Sequence, residues 1–168
     1  MRALRALTAV GAAATIAGIC CAAPAAADEA WGINGTFATS SNGEWAKVNE
    51  RYEDQPSERE TWTISTQCIS PTECTGTVQS DAGWTAPVFT TNGLWYVKRT
   101  IPNWRFCADG AAIEGFQEYQ IYPVNSGDGH YDAASTEYSG QNRVIGPSGS
   151  CGRNQSPVIR MPFYMKKL

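Results

Sequence analysis

The sequence has a single histidine, His130, and no pair of Cys-x-x-Cys knuckles, so it lacks the ligand set of a structural zinc site. It has no glycine-rich phosphate loop, which removes the usual nucleotide-binding device. Nothing in it implies a cofactor. Helical periodicity is nearly absent: only EWAKVNERYED, residues 44–54, could form a helix, and it is short. Positive charge is scarce, with 13 Lys and Arg against 16 Asp and Glu, which excludes the basic face that a nucleic-acid partner needs. A long hydrophobic run is missing too. Residues 7–21 are uncharged but alanine-rich, and fall short of the ~20 strongly apolar residues of a spanning helix, so the chain is not read as a transmembrane protein.

What the N-terminus does contain is a leader pattern. Arg2 and Arg5 form a basic start, residues 7–21 an apolar centre, and Pro24 breaks the chain ahead of Ala25-Ala26-Ala27. The expectation is a signal peptide at 1–27, cleaved before Asp28, and one domain over 28–168. Ile19 stands where lipidation of Cys20 or Cys21 would require a small residue, which argues against a lipid anchor. Arg2 and Arg5 leave with the leader, so 11 of the 13 basic residues remain against 16 acidic ones, a net charge of −5. The predicted location is secreted, with association to the cell wall as an extension of it.

Four cysteines remain after cleavage: Cys68, Cys74, Cys107 and Cys151. An even number in a small exported domain reads as two disulfides, and three pairings are open. Cys68–Cys74 with Cys107–Cys151 is preferred, because Ser70-Pro71 between the first two supplies a turn that brings strand ends within bridging distance.

The dominant period is two. Trp62, Ile64, Thr66 and Cys68 share one face, alternating with Thr61, Thr63, Ser65 and Gln67, and Cys74, Gly76, Val78 and Ser80 continue the inner face after the turn. Trp31, Ile33, Gly35 and Phe37 alternate likewise. Further strand-like segments are 84–90, 94–101, 116–122, 131–138 and 158–165, rich in aromatic and β-branched residues and bounded by Gly, Pro, Asn, Asp or Ser. Asn92-Gly93 and Asn42-Gly43 both read as two-residue hairpin turns, the dipeptide that tolerates positive φ at both positions. The fold class is all-β: an antiparallel meander of about eight to ten strands. Such a meander either closes on itself or splits, since long open edges invite aggregation. A closed calycin-like barrel is favoured, with a two-sheet sandwich as the alternative.

Two resemblances attach to particular strings. INGTF, Ile33 to Phe37, resembles the first barrel strand of lipocalin and fatty-acid-binding folds, which implies a glycine bend and an aromatic plug. The strings TWTISTQC, CTGTVQSDAGWTAPV, TTNGLWYVKR, PNWRFC, PSGSCG and VIRMPF are similar to small exported proteins of mycobacteria and related actinobacteria, and span most of the mature chain. That group carries no established activity, so the resemblance implies export and not mechanism. The sequons at Asn34 and Asn154 have no meaning in a bacterial source.

Candidates for chemistry are few, and no catalytic residue is assigned. His130, in NSGDGHYD, sits among turn residues and reads as a solvated loop histidine. Asn125, Asp128 and Asp132 give an oxygen-rich loop without the spacing of a calcium hand, so no metal is expected. Glu114 and Glu118 share one side of a strand with Phe116 between them, as a glycoside hydrolase would require, yet the pattern reads better as surface. Trp31, Trp62 and Trp95 fit core positions. Trp45, Trp84 and Trp104 follow turns near strand ends and are the candidate ligand-binding residues, a platform for sugars or the rim of an apolar pocket. The functional expectation is a non-enzymatic domain binding an apolar small molecule or a cell-envelope glycan or lipid. The alternatives are a carboxylate-dependent glycoside hydrolase, and a structural or host-interaction protein without a small ligand. A hollow barrel interior separates the first from the last.

Overall fold

The computed structural model of the chain describes residues 31–168. The expected leader and its cleavage point before Asp28 lie outside the described residues. Among the described residues ten strands form: β1 (Gly35–Ser41), β2 (Lys47–Val48), β3 (Arg51–Tyr52), β4 (Glu58–Ser70), β5 (Glu73–Ser80), β6 (Thr85–Thr91), β7 (Leu94–Phe106), β8 (Ala112–Pro123), β9 (Glu137–Ile145) and β10 (Val158–Lys167). Every pairing is antiparallel. The order β1-β4-β5-β6-β7-β8-β9-β10 returns to its start, because β10 also pairs with β1 from Phe37↔Lys167 to Ser41↔Phe163. Eight strands thus close into a barrel, and the two-sheet alternative falls away. The short β2–β3 ribbon hangs from β10 through Ile159↔Val48.

Alternation explains the closure. Trp62, Ile64, Thr66 and Cys68 all point inward, as do Phe37, Val78, Val88, Val97, Tyr119, Ile121, Phe163 and Met165, and all are buried. An eight-stranded barrel leaves an interior just wide enough for side chains to fill. At the waist Trp62 does most of the filling. Its ring lies 4.8 Å from Tyr119 and 5.3 Å from Trp84, both edge-on, and stacks on Phe163 at 5.2 Å. Such aromatic pairs contribute ~0.5–1.5 kcal/mol each beyond the area they bury.

Two disulfides staple the barrel, Cys68 to Cys74 and Cys107 to Cys151. The first bridges directly opposed residues of the β4–β5 hairpin. The second ties the tip of the β7–β8 hairpin to the loop between β9 and β10.

Four expectations are corrected. Asn92-Gly93 makes the turn between β6 and β7, with φ of 51° and 75°, but Asn42-Gly43 makes no hairpin. Asn42 instead caps a single 3₁₀ turn, Gly43–Trp45, its side chain accepting from the Glu44 amide at 3.0 Å. Gly43 is needed there for a different reason, since a Cβ would collide with the Gln55 carbonyl. Residues 44–54 form no α-helix: positive φ at Asn49 and Glu50 turns β2 into β3. The segment 131–138 is mostly loop, and the strand lies later, at Glu137–Ile145, where Gln141, Asn142 and Arg143 mask it. Trp31 is 47% exposed rather than core: Ile33 is still buried, but β1 begins only at Gly35 and Trp31 lies in a turn ahead of it.

Candidate functional site

The two ends of the barrel differ. One end, where β4 begins and β1 ends, is packed with polar side chains. Extending the inward set Ile64, Trp62 backwards along β4 reaches Glu60 and Glu58. Glu60 Oε2 accepts from the Trp62 indole at 2.8 Å and from Ser80 Oγ at 2.6 Å. Glu58 Oε2 accepts from Asn142 Nδ2 at 3.0 Å, and the same amide group donates to Ser41 Oγ at 3.0 Å. Gln117 Nε2 donates to Asn142 Oδ1 and to the Tyr119 hydroxyl, both at 2.9 Å, while Arg99 Nε donates to Gln117 Oε1 at 2.6 Å. The Arg99 guanidinium also lies over the Trp84 ring, 4.2 Å from its centroid. Burial, reinforced by the charge of Glu60, pushes the Glu58 carboxyl above its ordinary value. Burial raises the Tyr119 hydroxyl strongly as well.

The opposite end is open. A cavity of about 700 Å³ occupies its mouth, within the ~300–1,000 Å³ usual for small-molecule sites. Phe37, Trp95 and Tyr138 form its floor, and Trp31 and Tyr131 its rim. Local chemistry fixes these walls. The segment ahead of β1 is pinned across the mouth by Asn34 Oδ1, which accepts from the Thr66 amide at 2.7 Å, and by Thr66 Oγ1 donating to the Ile33 carbonyl at 3.1 Å. On the far side, the loop from Val124 to Thr136 is held by its own side chains. Ser135 Oγ donates to the Val124 carbonyl, and Val124 bridges Tyr131. Small residues at the mouth, among them Gly35, Gly93, Ala133 and Ala134, leave the space unfilled. Burial also raises the Tyr138 hydroxyl above the normal tyrosine value.

Trp45, Trp84 and Trp104 all lie towards the polar end. Trp45 is 61% exposed and meets Tyr52 edge-on. Trp84 packs on the core, and its indole N–H finds no acceptor among the described residues. The Trp104 ring rests over Gly115 and Gly146, where a Cβ on Gly115 would come within 2.7 Å of it. The cavity is lined instead by two tryptophans read as core, Trp31 and Trp95.

His130 is exposed, and its amide donates to Asp128 Oδ1 at 3.0 Å. Asp132 accepts from Ala134 N and Asn125 from Gly127 N, so these oxygens shape their own loop. Glu114 and Glu118 sit on the outer wall, Glu118 paired with Lys98 at 2.8 Å. The carboxylate pair that faces inward, Glu58 and Glu60, was hidden in SERE, a string that reads as a polar loop until the alternation from Trp62 is carried back through it.

A closed eight-stranded antiparallel barrel, filled at one end and hollow at the other, is thus the class of fold. No protein-family model and no curated protein matches the chain. Among solved structures, the monomer form of the M. tuberculosis PknI sensor domain is similar, with a TM-score of 0.56 and 18% identity over 81% of this chain and 87% of that one. At that identity the likeness speaks for the fold.

Proposed function

We propose that the protein is an exported, non-enzymatic binding domain that takes a small amphipathic ligand into the open end of its barrel. The cavity of about 700 Å³ with its aromatic floor and rim carries this reading. The two disulfides accord with an oxidising compartment outside the cytoplasm. The similar domain of PknI is named a sensor domain, which accords with a binding role. For an exported protein, envelope lipids are the natural source of such ligands. A carboxylate hydrolase is less well supported: Glu118 is tied to Lys98, and Glu58 and Glu60 are engaged by Asn142, Trp62 and Ser80.

The test uses the neutral fluorophore N-phenyl-1-naphthylamine. The mature protein should enhance its emission saturably at one site. Trp31→Ala and Tyr131→Ala remove exposed rim rings, so folding should persist while affinity falls about fivefold or more, the usual cost of losing an aromatic contact face. Trp45→Ala, at the other end, should change nothing. Absence of saturable binding, or parental affinity retained by both rim variants, would overturn the proposal.

A further inference from the structure

The cavity has a sign of charge, and it runs against that of the whole protein. The chain carries 16 acidic residues, yet among the described residues no aspartate or glutamate lines this cavity, and one cation does: Lys167. Its place follows from the strand. Met161, Phe163 and Met165 are the buried, inward positions of β10, and Lys167 is the next residue in that series, at the rim. The register agrees, because Lys167 lies opposite inward-pointing Phe37.

Gly35, two residues before Phe37, makes room for the lysine. A Cβ built there would stand 2.9 Å from Lys167 Cε and 3.5 Å from its Nζ. The amine therefore lies across the inner face of Gly35, over the cavity, rather than out along the wall. Among the described residues no carboxylate lies within salt-bridge distance of it, whereas the neighbouring Lys166 pairs with Glu137 at 2.9 Å. Among the described residues, the acidic groups near this end do not line the cavity, Glu73 at the exposed β4–β5 turn included. Glu137 also accepts from the Tyr164 hydroxyl at 2.6 Å, and Asp128 and Asp132 accept from amides of their own loop. An inward ammonium without a carboxylate partner, above an aromatic floor, selects a negative head on an apolar body.

From this geometry we infer that the ligand is an anionic amphiphile, a single-chain or aromatic carboxylate or a similar anion, seated with its apolar part on Phe37, Trp95 and Tyr138 and its charge at Lys167. This rests on the open-end pocket proposed above and adds the ligand class. The ammonium is exposed at the rim, so its contribution is that of a surface pair, about threefold to fivefold in affinity at low salt.

The experiment compares three twelve-carbon probes below their micellar concentrations: laurate, dodecanol and dodecyltrimethylammonium, each displacing N-phenyl-1-naphthylamine from the mature protein. Laurate should bind tightest and the cation weakest, and added salt should weaken laurate alone. Lys167→Met should lower laurate affinity about threefold to fivefold and leave dodecanol unchanged, while Lys167→Glu should shift the preference towards the cation. Equal affinity for laurate and dodecanol, with no effect of Lys167→Met, would overturn the inference while leaving the pocket intact. Failure of the neutral fluorophore itself to bind would instead remove the pocket and this inference together. Thermal melting of both variants checks that the exposed substitutions leave the barrel folded.

Discussion

The two disulfides differ in accessibility in a way that allows one to be opened in the native protein. Cys68 and Cys74 are each about 1% exposed, whereas Cys107 is half-buried and Cys151 exposed. A thiol must reach the sulfur it attacks, so dithiothreitol under native conditions should reduce Cys107–Cys151 first and leave Cys68–Cys74 closed. The same bridge closes the longer loop. Its partners are 44 residues apart against 6 for the other, and the chain-entropy treatment assigns about 4 and about 2 kcal/mol respectively. Opening the exposed bridge vacates little core, so the loss should approach that entropic figure without an added cavity cost. Four kcal/mol is a large part of the ~5–15 kcal/mol of a typical domain and corresponds to a fall of ~8–16 °C in Tm.

The assay is timed reduction, alkylation and peptide mass spectrometry, followed by urea unfolding of the species blocked at Cys107 and Cys151. That species should bind N-phenyl-1-naphthylamine as before, because its opened bridge lies at the end away from the cavity. Simultaneous loss of both bridges, prior loss of Cys68–Cys74, or a stability change below about 1 kcal/mol would refute the reasoning.

Trp62→Ala should cost about 3–5 kcal/mol in urea unfolding, since the ring is fully buried among Trp84, Tyr119 and Phe163 and its indole satisfies Glu60, while Trp45→Ala should stay within ~0.5 kcal/mol. The raised carboxyl of Glu58 gives stability that is fully present below the ordinary glutamate value of 4.5 and is lost as pH rises through the folded value. Glu58→Gln, which keeps an acceptor for Asn142, should abolish that loss. The difference in urea midpoint between variant and parent should therefore move in the variant's favour from pH 4 to pH 7, and a flat difference would contradict it.

The alternation of Trp62, Ile64, Thr66 and Cys68 was enough to assign the inner face of β4, because burial on one side of a strand imposes a period of two whatever the fold around it. Turns were less legible. Asn92-Gly93 and Asn42-Gly43 are the same dipeptide, yet only the first has strand partners on both sides, and the second is governed by the approach of the Gln55 carbonyl some twelve residues on. The β9 strand escaped because Asn142 is polar and inward, which makes sense only once Glu58, Ser41 and Gln117 arrive from three other strands. The cavity was invisible for a related reason. Periodicity tells which residues point inward and not whether their neighbours reach far enough to meet. Gly35 and Gly93 are read from sequence as bends and turns, and only closure of the barrel converts them into empty space.

That closure also bears on what a bound molecule could encounter. Along β4 the inward positions run from Glu58 and Glu60, through Trp62, to Ile64, Thr66 and Cys68 at the disulfide. Along β10 they run from Met161 through Phe163 and Met165 to Lys167. The polar network and the cavity thus occupy opposite ends of the same interior, and the rings of Trp62, Tyr119 and Phe163 stand between them in mutual contact. Moving that layer aside would sacrifice the fully buried ring of Trp62 and its contacts with Trp84, Tyr119 and Phe163. A ligand proposed to enter past Trp31 therefore meets aromatic faces and the Lys167 amine, while the inward carboxylates of Glu58 and Glu60 stay behind the waist. An open cavity at one end and a fixed polar plug at the other leave the proposed ligand a single way in.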